Sequence, residues 1–188
     1  VGFLQLPVQA GSDEILRRMN RRYTAAQYLD VIKKVRARNP DIAVGTDIIV
    51  GFCGETDAQF EETVALYRAA DFDISYTAMY SPRSGTAAHR AFKDDVTRAE
   101  KKRRWMVLQE LMEETVLRKN QAYVGSGVEV LVDSFAHGVC TGNSRAMKRV
   151  SFNCAEDLTG RTVRVHVTKA MEWQLSGELR GQSVGGGL

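Results

Sequence analysis

Several residues in the first half of the sequence combine a reactive polar group with a position just beyond, or inside, a short apolar run. Gln9 follows Phe3-Leu4-Gln5-Leu6-Pro7-Val8, Arg21 comes shortly after Ile15, Leu16 and Met19, and Asp47 lies inside the run from Ile42 to Val50. Tyr80 and Arg83 follow the run that starts at Phe72. A carboxamide can hydrogen-bond hydroxyl groups, a guanidinium fork suits a carboxylate, and a carboxylate can accept two hydroxyls at once. Gly51 and Gly54 permit a backbone to approach a flat ring closely. Plainer roles stand beside these: a strand-end cap for Gln9, a surface ion pair for Arg21, a turn former in Asp47, and for Glu55 a cap on the following helix dipole. The C-terminal third offers different chemistry. Arg145, Lys148, Arg149, Arg161 and Arg164 supply phosphate-seeking charge, and Phe152 and Trp173 are available for stacking. His89, His137 and His166 are scattered, and Cys53, Cys140 and Cys154 form neither a zinc pattern nor a disulfide framework. The expectation is reduced thiols and no metal site.

The elements that must position these groups follow from composition and periodicity. The chain has 188 residues, 44% hydrophobic and 26% charged, an ordinary globular composition for one domain or one with a small addition. No stretch approaches the roughly 20 apolar residues of a membrane span, and a cytoplasmic location is expected. The net charge of +3 is uneven: residues 1–116 carry 17 basic and 17 acidic residues, residues 117–188 carry 9 and 6. A basic bias in one segment permits nucleic-acid binding there. The sequence opens at Val1 without Met or a leading helix, which reads as a cut edge.

The first two-thirds alternate strand and helix. Thr24-Ala25-Ala26-Gln27, Thr56-Asp57-Ala58-Gln59 and Thr97-Arg98-Ala99-Glu100 each read as a capping box, a helix start in which the hydroxyl and the distal side chain satisfy each other's backbone. Behind them Tyr28, Leu29, Ile32 and Val35, then Phe60, Val64 and Tyr67, then Trp105, Leu108, Met112 and Val116 recur at helical spacing. The β-branched run Ile42–Val50 predicts a strand buried on both faces. Successive β-then-α units predict a parallel sheet with helices outside. After about Tyr123 the texture changes to about five short alternating runs separated by Gly, Asn, Asp or Ser, which predicts a small antiparallel barrel of the oligonucleotide-binding type. Gly185-Gly186-Gly187 reads as a disordered tail.

Three blocks carry a resemblance. Leu6-Pro7-Val8-Gln9-Ala10-Gly11-Ser12-Asp13 with Met19-Asn20-Arg21-Arg22-Tyr23-Thr24 resembles a signature block of the radical S-adenosylmethionine methylthiotransferases. Thr46-Asp47-Ile48-Ile49-Val50-Gly51-Phe52-Cys53-Gly54-Glu55-Thr56 resembles a second, with Cys53 where the family has Pro, and Tyr80-Ser81-Pro82-Arg83-Ser84-Gly85-Thr86 a third. The C-terminal runs resemble the TRAM domain, an RNA-binding barrel, although Asn143 stands where the family usually has Arg or Lys. The resemblance implies a partial radical (β/α) barrel over residues 1–119 and a TRAM-like barrel over residues 123–184. The cofactor site it implies comprises Gln9, Ser12, Arg21, Asp47, Gly51, Gly54, Met79 and Tyr80, with Gln9 and Asp47 on ribose hydroxyls, Arg21 on the methionyl carboxylate and the backbone of Met79 and Tyr80 at the adenine edge. It implies RNA contacts by Arg83, Arg145, Lys148, Arg149, Arg161 and Arg164.

The activity implied is a transfer that places a methylthio group on carbon 2 of an isopentenyl-modified adenosine beside the anticodon. S-adenosylmethionine and two 4Fe-4S clusters would serve it, with the anticodon stem-loop of tRNA as partner, no DNA or membrane, and a monomeric enzyme. Sibling activities on threonylcarbamoyl-adenosine or a ribosomal protein, and a non-enzymatic RNA-binding module, are the alternatives. The family's cluster-ligand cysteines have no counterpart here, so the chain by itself is expected to lack radical activity. A barrel missing strands should also expose an apolar edge at Phe3–Val8, leaving Val8, Ile48 and Val50 short of inner packing.

Overall fold

A computed structural model of the chain describes residues 2–180. Residues 181–184 of the second segment and the Gly185-Gly186-Gly187 tail lie outside them. The chain divides into two compact units, Leu4–Met112 and the remainder.

The first unit is built on a three-stranded sheet of β1 (Phe3–Gln5), β2 (Ala43–Val50) and β3 (Ile74–Met79), in that order. The β2–β3 pair is parallel, from Gly45 opposite Ile74 to Val50 opposite Met79. Helices connect the strands: α1 (Asp13–Arg18), α2 (Ala25–Arg38) and α3 (Asp57–Ala70), then α4 (Ala87–Ala91) and, after it, α5 (Arg98–Gln121), whose residues up to Met112 belong to this unit. The Thr24 and Thr56 capping boxes both form in full. At α5 only half of the box forms. Thr97 accepts the Glu100 N–H at 3.2 Å, but the Glu100 carboxylate is held by Arg103 and Arg104 instead of turning back.

Two sequence expectations about the strands need correction. The apolar run Phe3–Val8 reads as one short strand, but β1 ends at Gln5, because Pro7 has no N–H and the N–H of Val8 goes to the Thr46 hydroxyl at 3.0 Å instead of a ladder carbonyl. Pairing resumes beyond it, with Gln9 donating to the Asp47 carbonyl at 2.9 Å and accepting from the Ile49 N–H at 2.8 Å. Nor is β2 buried on both faces. Thr46, Ile48 and Val50 are fully enclosed, whereas Asp47 and Ile49 on the opposite face are half-buried. Val8, Ile48 and Val50 therefore keep complete packing, and the open face carries Asp47, Ile49, Tyr76 and Ala78.

The helices cover the closed face with large side chains. Phe60, Tyr67 and Phe72 are buried, and each such side chain is worth roughly 1.5–3 kcal/mol relative to exposure. Their hydroxyl-bearing neighbours are satisfied: Tyr28 donates to the Leu6 carbonyl at 2.5 Å and Tyr67 bonds the Ser75 hydroxyl at 3.1 Å. Arg36 donates to the carbonyls of Ala70 and Asp71, both at 2.6 Å, so a side chain of α2 closes the C-terminus of α3.

The second unit contains a closed barrel of β4 (Gly127–Ala136), β5 (Val139–Ser144), β6 (Arg149–Asn153), β7 (Thr162–Ala170) and β8 (Leu175–Leu179). Around the barrel the order is β4-β5-β6-β8-β7. The expected strand count is met, but the barrel is not wholly antiparallel, because β6 and β8 pair in parallel to close it. Val130, Val150, Val165, Val167 and Leu175 fill the interior. Gly142 is required by close approach, since a Cβ there would lie 2.1 Å from the Leu131 carbonyl oxygen.

The thiol expectation is also corrected. Cys140 and Cys154 form a disulfide with their Cα atoms 6.1 Å apart, and Cys53 alone is free and buried. The cause is register: Cys140 stands opposite Phe152, and the chain leaving β6 bonds Cys154 N–H to the Gly138 carbonyl at 3.0 Å.

Candidate functional site

The C-terminal ends of the parallel strands converge on a cleft of about 450 Å³. Gln9, Ile49, Ala78 and Met79 supply strand residues to it, Phe52 and Tyr80 aromatic ones, and Arg18, Arg21 and Arg83 guanidinium groups. Five of the residues singled out from the sequence (Gln9, Arg21, Met79, Tyr80 and Arg83) thus come together.

Each is placed by an identifiable local cause. Gln9 adopts a left-handed backbone, φ 73°, and is held there by its two ladder bonds to β2. Arg21 follows the end of α1, where its N–H donates to the Leu16 carbonyl at 2.8 Å, and its exposed side chain has no ion pair among the described residues. Tyr80 continues β3, its N–H on the Val50 carbonyl at 2.8 Å and its ring edge-on to Phe52 with centroids 4.9 Å apart. Burial, reinforced by a hydrogen bond with Cys53, pushes the Tyr80 phenol up to about 12, so it stays protonated near neutrality. The Arg83 carbonyl accepts the Thr86 hydroxyl at 2.8 Å, and that hydroxyl in turn caps α4.

The other expected residues lie elsewhere. Ser12 is buried at the start of α1 and makes no side-chain cap bond. Asp47 shares the open face with Ile49 but sits one pleat deeper, accepting the Gln5 amide at 2.8 Å, and does not line the cleft. Gly51 and Gly54, both at φ 70°, shape the loop after β2 and are packed from behind. A Cβ at Gly51 would meet Lys101 Cγ at 2.3 Å, and one at Gly54 would meet a guanidinium nitrogen of Arg18 at 2.5 Å.

That loop rests on a buried ionic frame which the sequence reading did not single out. Glu55 accepts the Gly51 N–H at 2.6 Å and pairs with Arg104 at 2.8 Å, instead of capping α3 as expected. Burial raises the Glu55 carboxyl above its usual range, while the Gly51 and Arg104 bonds favour the ionised form. Arg104 extends the frame to Glu100 at 2.7 Å and Asp57 at 3.1 Å. Lys101, also buried, donates to the Tyr80 carbonyl at 3.1 Å and to Asp94 at 2.6 and 2.7 Å. Both cations lie on the first turns of α5, and their recurrence at i and i+3 is the only signal the sequence held for them.

In the barrel the phosphate-seeking side chains are unequal. Arg145 pairs with Glu129 at 2.5 Å, Arg149 with Asp133 and with the Thr141 hydroxyl at 2.9 Å, and Arg161 with Glu156 at 3.6 Å. Arg164 is exposed with no ion pair among the described residues. Lys148 is buried, contrary to expectation, and so is Phe152, which fills the core and leaves Trp173, 55% exposed, as the aromatic open to a base. Among the described residues no group of three or more His, Cys, Asp or Glu could hold a metal ion, and no helix is long and apolar enough to cross a membrane.

Comparison with known proteins gives these two units their relatives. Residues 1–67 match the family model of the Radical SAM superfamily, and residues 121–179 that of the TRAM domain. The chain is 45% identical over 187 residues to the tRNA-2-methylthio-N(6)-dimethylallyladenosine synthase of Geobacillus kaustophilus (strain HTA426), covering 98% of this chain and 35% of that protein. It is 44% identical over 187 residues to the synthase of the same name from Geobacillus thermodenitrificans (strain NG80-2), covering 98% and 36%. The chain therefore spans about a third of the length of the curated relatives it matches. Among solved structures, coproporphyrinogen III oxidase from Escherichia coli, described as a radical SAM enzyme, aligns with a TM-score of 0.53 at 14% identity, over 77% of this chain and 41% of that one. That likeness is one of fold.

Proposed function

We propose that this chain is part of a tRNA methylthiotransferase that places a methylthio group on carbon 2 of an isopentenyl-modified adenosine beside the anticodon. The observation that carries the reading is the convergence of Gln9, Arg21, Met79 and Tyr80 on one cleft at the C-terminal ends of parallel strands, where ligands of such sheets bind. The 45% identity to a named synthase along nearly the whole chain supports it.

Residues 1–119 then form part of a radical SAM half-barrel, and the described part of residues 123–184 a TRAM-like barrel that meets the anticodon stem-loop through Arg145, Arg149, Arg161, Arg164 and Trp173. Bound S-adenosylmethionine would supply the hydrogen-abstracting radical and the methyl group, working with iron–sulfur clusters whose ligands are not among the described residues. The chain's own residues bind and orient. The Gln9 amide suits a ribose hydroxyl, and the Arg21 fork, without an ion pair among the described residues, suits the methionyl carboxylate. The rings of Tyr80 and Phe52 give the adenine an aromatic wall. We place the protein in the cytoplasm, acting as a monomer.

Calorimetric titration with S-adenosylhomocysteine tests this. Gln9→Ala and Arg21→Ala should each weaken binding about tenfold, the loss of roughly 1.4 kcal/mol expected for a hydrogen bond to a polar ligand. Wild-type affinity in both variants would overturn the assignment.

A further inference from the structure

Lys101, in the first turns of α5, touches two edges of the cleft without lining it. The residue is only 5% exposed. Its stem packs against the loop after β2, where a Cβ on Gly51 would lie 2.3 Å from Lys101 Cγ. Its ammonium reaches the end of β3, donating to the Tyr80 carbonyl at 3.1 Å and standing 5.2 Å from the centroid of the Tyr80 ring. The Asp94 carboxylate accepts from the same nitrogen at 2.6 and 2.7 Å. The next residue, Asp95, accepts the Gly54 N–H at 2.6 Å, so the segment before α5 is tied to the loop after β2 as well.

An ammonium has three N–H donors, and these three bonds engage them all. None is left for a ligand, and Asp94 balances the charge. Whatever Lys101 does at the cleft, it does through Tyr80. A buried ion pair is a poor device for stability alone, because apolar residues of the same volume pack as well without the desolvation cost. An apolar pair could not, however, bond a carbonyl at the end of a strand. The far side of Tyr80 is held by the loop after β2, with Phe52 against the ring and Cys53 on the phenol. Lys101 holds the backbone, and its stem supports that same loop at Gly51, which has room for it only as glycine.

We propose that Lys101 is a positioning residue for cofactor binding, fixing the backbone and ring of Tyr80 as the wall against which an adenine stacks. Asp94 keeps the ammonium at that task. The proposal rests on the functional reading above and deepens it, since a binding wall is only as well placed as the groups behind it.

Two measurements test it. Lys101→Met keeps an unbranched stem and removes the ammonium, and in calorimetric titration it should weaken S-adenosylhomocysteine about tenfold. Asp94→Asn should weaken it in the same direction, about threefold, and carries the test if Lys101→Met does not fold. In a Tyr80→Ala background, Lys101→Met should add less than about a twofold loss, whereas a merely structural role would multiply the two effects. Hydrogen exchange without ligand should be about tenfold faster over residues 80–84 in Lys101→Met, with α2 and α3 still protected. Lys102→Met, at the exposed neighbour, should change neither readout. Unaltered affinity in both Lys101→Met and Asp94→Asn, multiplicative losses with Tyr80→Ala, or unaltered exchange over residues 80–84 each overturn the proposal. A wild type that does not bind S-adenosylhomocysteine overturns the functional reading instead, and the exchange measurement then decides by itself whether Lys101 holds Tyr80.

Discussion

Arg104 on α5 and Glu55 on the loop after β2 meet at 2.8 Å with their side chains only 4% and 1% exposed. The pair joins two elements distant in sequence, and through the Gly51 N–H it fixes the turn behind the cleft. Removing one member strands the other. Arg104→Met should cost about 3–5 kcal/mol in urea unfolding, and the double change Glu55→Gln/Arg104→Met should recover part of that loss. A single-variant loss below about 1 kcal/mol would show that water reaches Glu55 when its partner is gone.

Acid should expose a second member of this frame. The hydrogen bond from Arg103 foremost holds the Glu100 carboxyl at about 2, against its ordinary 4.5; burial, the next largest influence, acts the other way, and Arg104 adds to the lowering. A carboxyl lowered by folding adds stability that is complete above its unfolded value and is lost as the pH falls towards 2. Glu55 has the opposite sign, because its raised carboxyl costs stability as the pH climbs through its folded value. Stability measured between pH 2 and 4.5 should therefore rise less steeply with pH in Glu100→Gln than in the wild type. Equal slopes would count against the role given to Arg103.

The Cys140–Cys154 cross-link closes a short loop at a separation of 14 residues. For a loop of about 15 residues, the lost chain entropy of the unfolded state is worth about 3 kcal/mol. Paired Ser substitutions should lower the stability of the barrel by roughly that amount, and the wild type in excess reductant should approach the variant. Thermal melts with and without reductant check both, and a wild type indifferent to reductant would contradict the cross-link.

Two glycines of the barrel should respond unequally to alanine. A Cβ at Gly142 would lie 2.1 Å from a carbonyl oxygen, whereas Gly160 meets nothing within 4 Å and has only its φ of 83° to defend. Gly142→Ala should cost about 1–3 kcal/mol or more from forced strand separation, Gly160→Ala about 1 kcal/mol from backbone conformation. Chemical denaturation of the two variants ranks them, and the reverse order would mean that β4 and β5 part easily.

How far the sequence could be read depended on whether a feature was local. Thr24 and Thr56 start their helices as their spacing requires, because a capping box involves only its own four residues. Thr97 keeps its hydroxyl bond but loses its partner, since Glu100 found two arginines one turn ahead. Gln9, Arg21, Met79, Tyr80 and Arg83 meet because strand ends in a parallel sheet share one edge. Asp47 misses that edge by strand position, a distinction of one pleat that the apolar run concealed. The disulfide and the burial of Lys148 both depend on hairpin register, which residue types alone do not specify.

Gln9 sets two kinds of fitness against each other. Its left-handed backbone costs a side-chain-bearing residue roughly 1–2 kcal/mol that glycine would not lose. Gln9→Gly would thus relieve that strain and at the same time delete the amide that faces the cleft. Selection for heat resistance alone should drift towards glycine at this position, and an engineered lineage screened only for solubility would trade away the amide without any sign of damage.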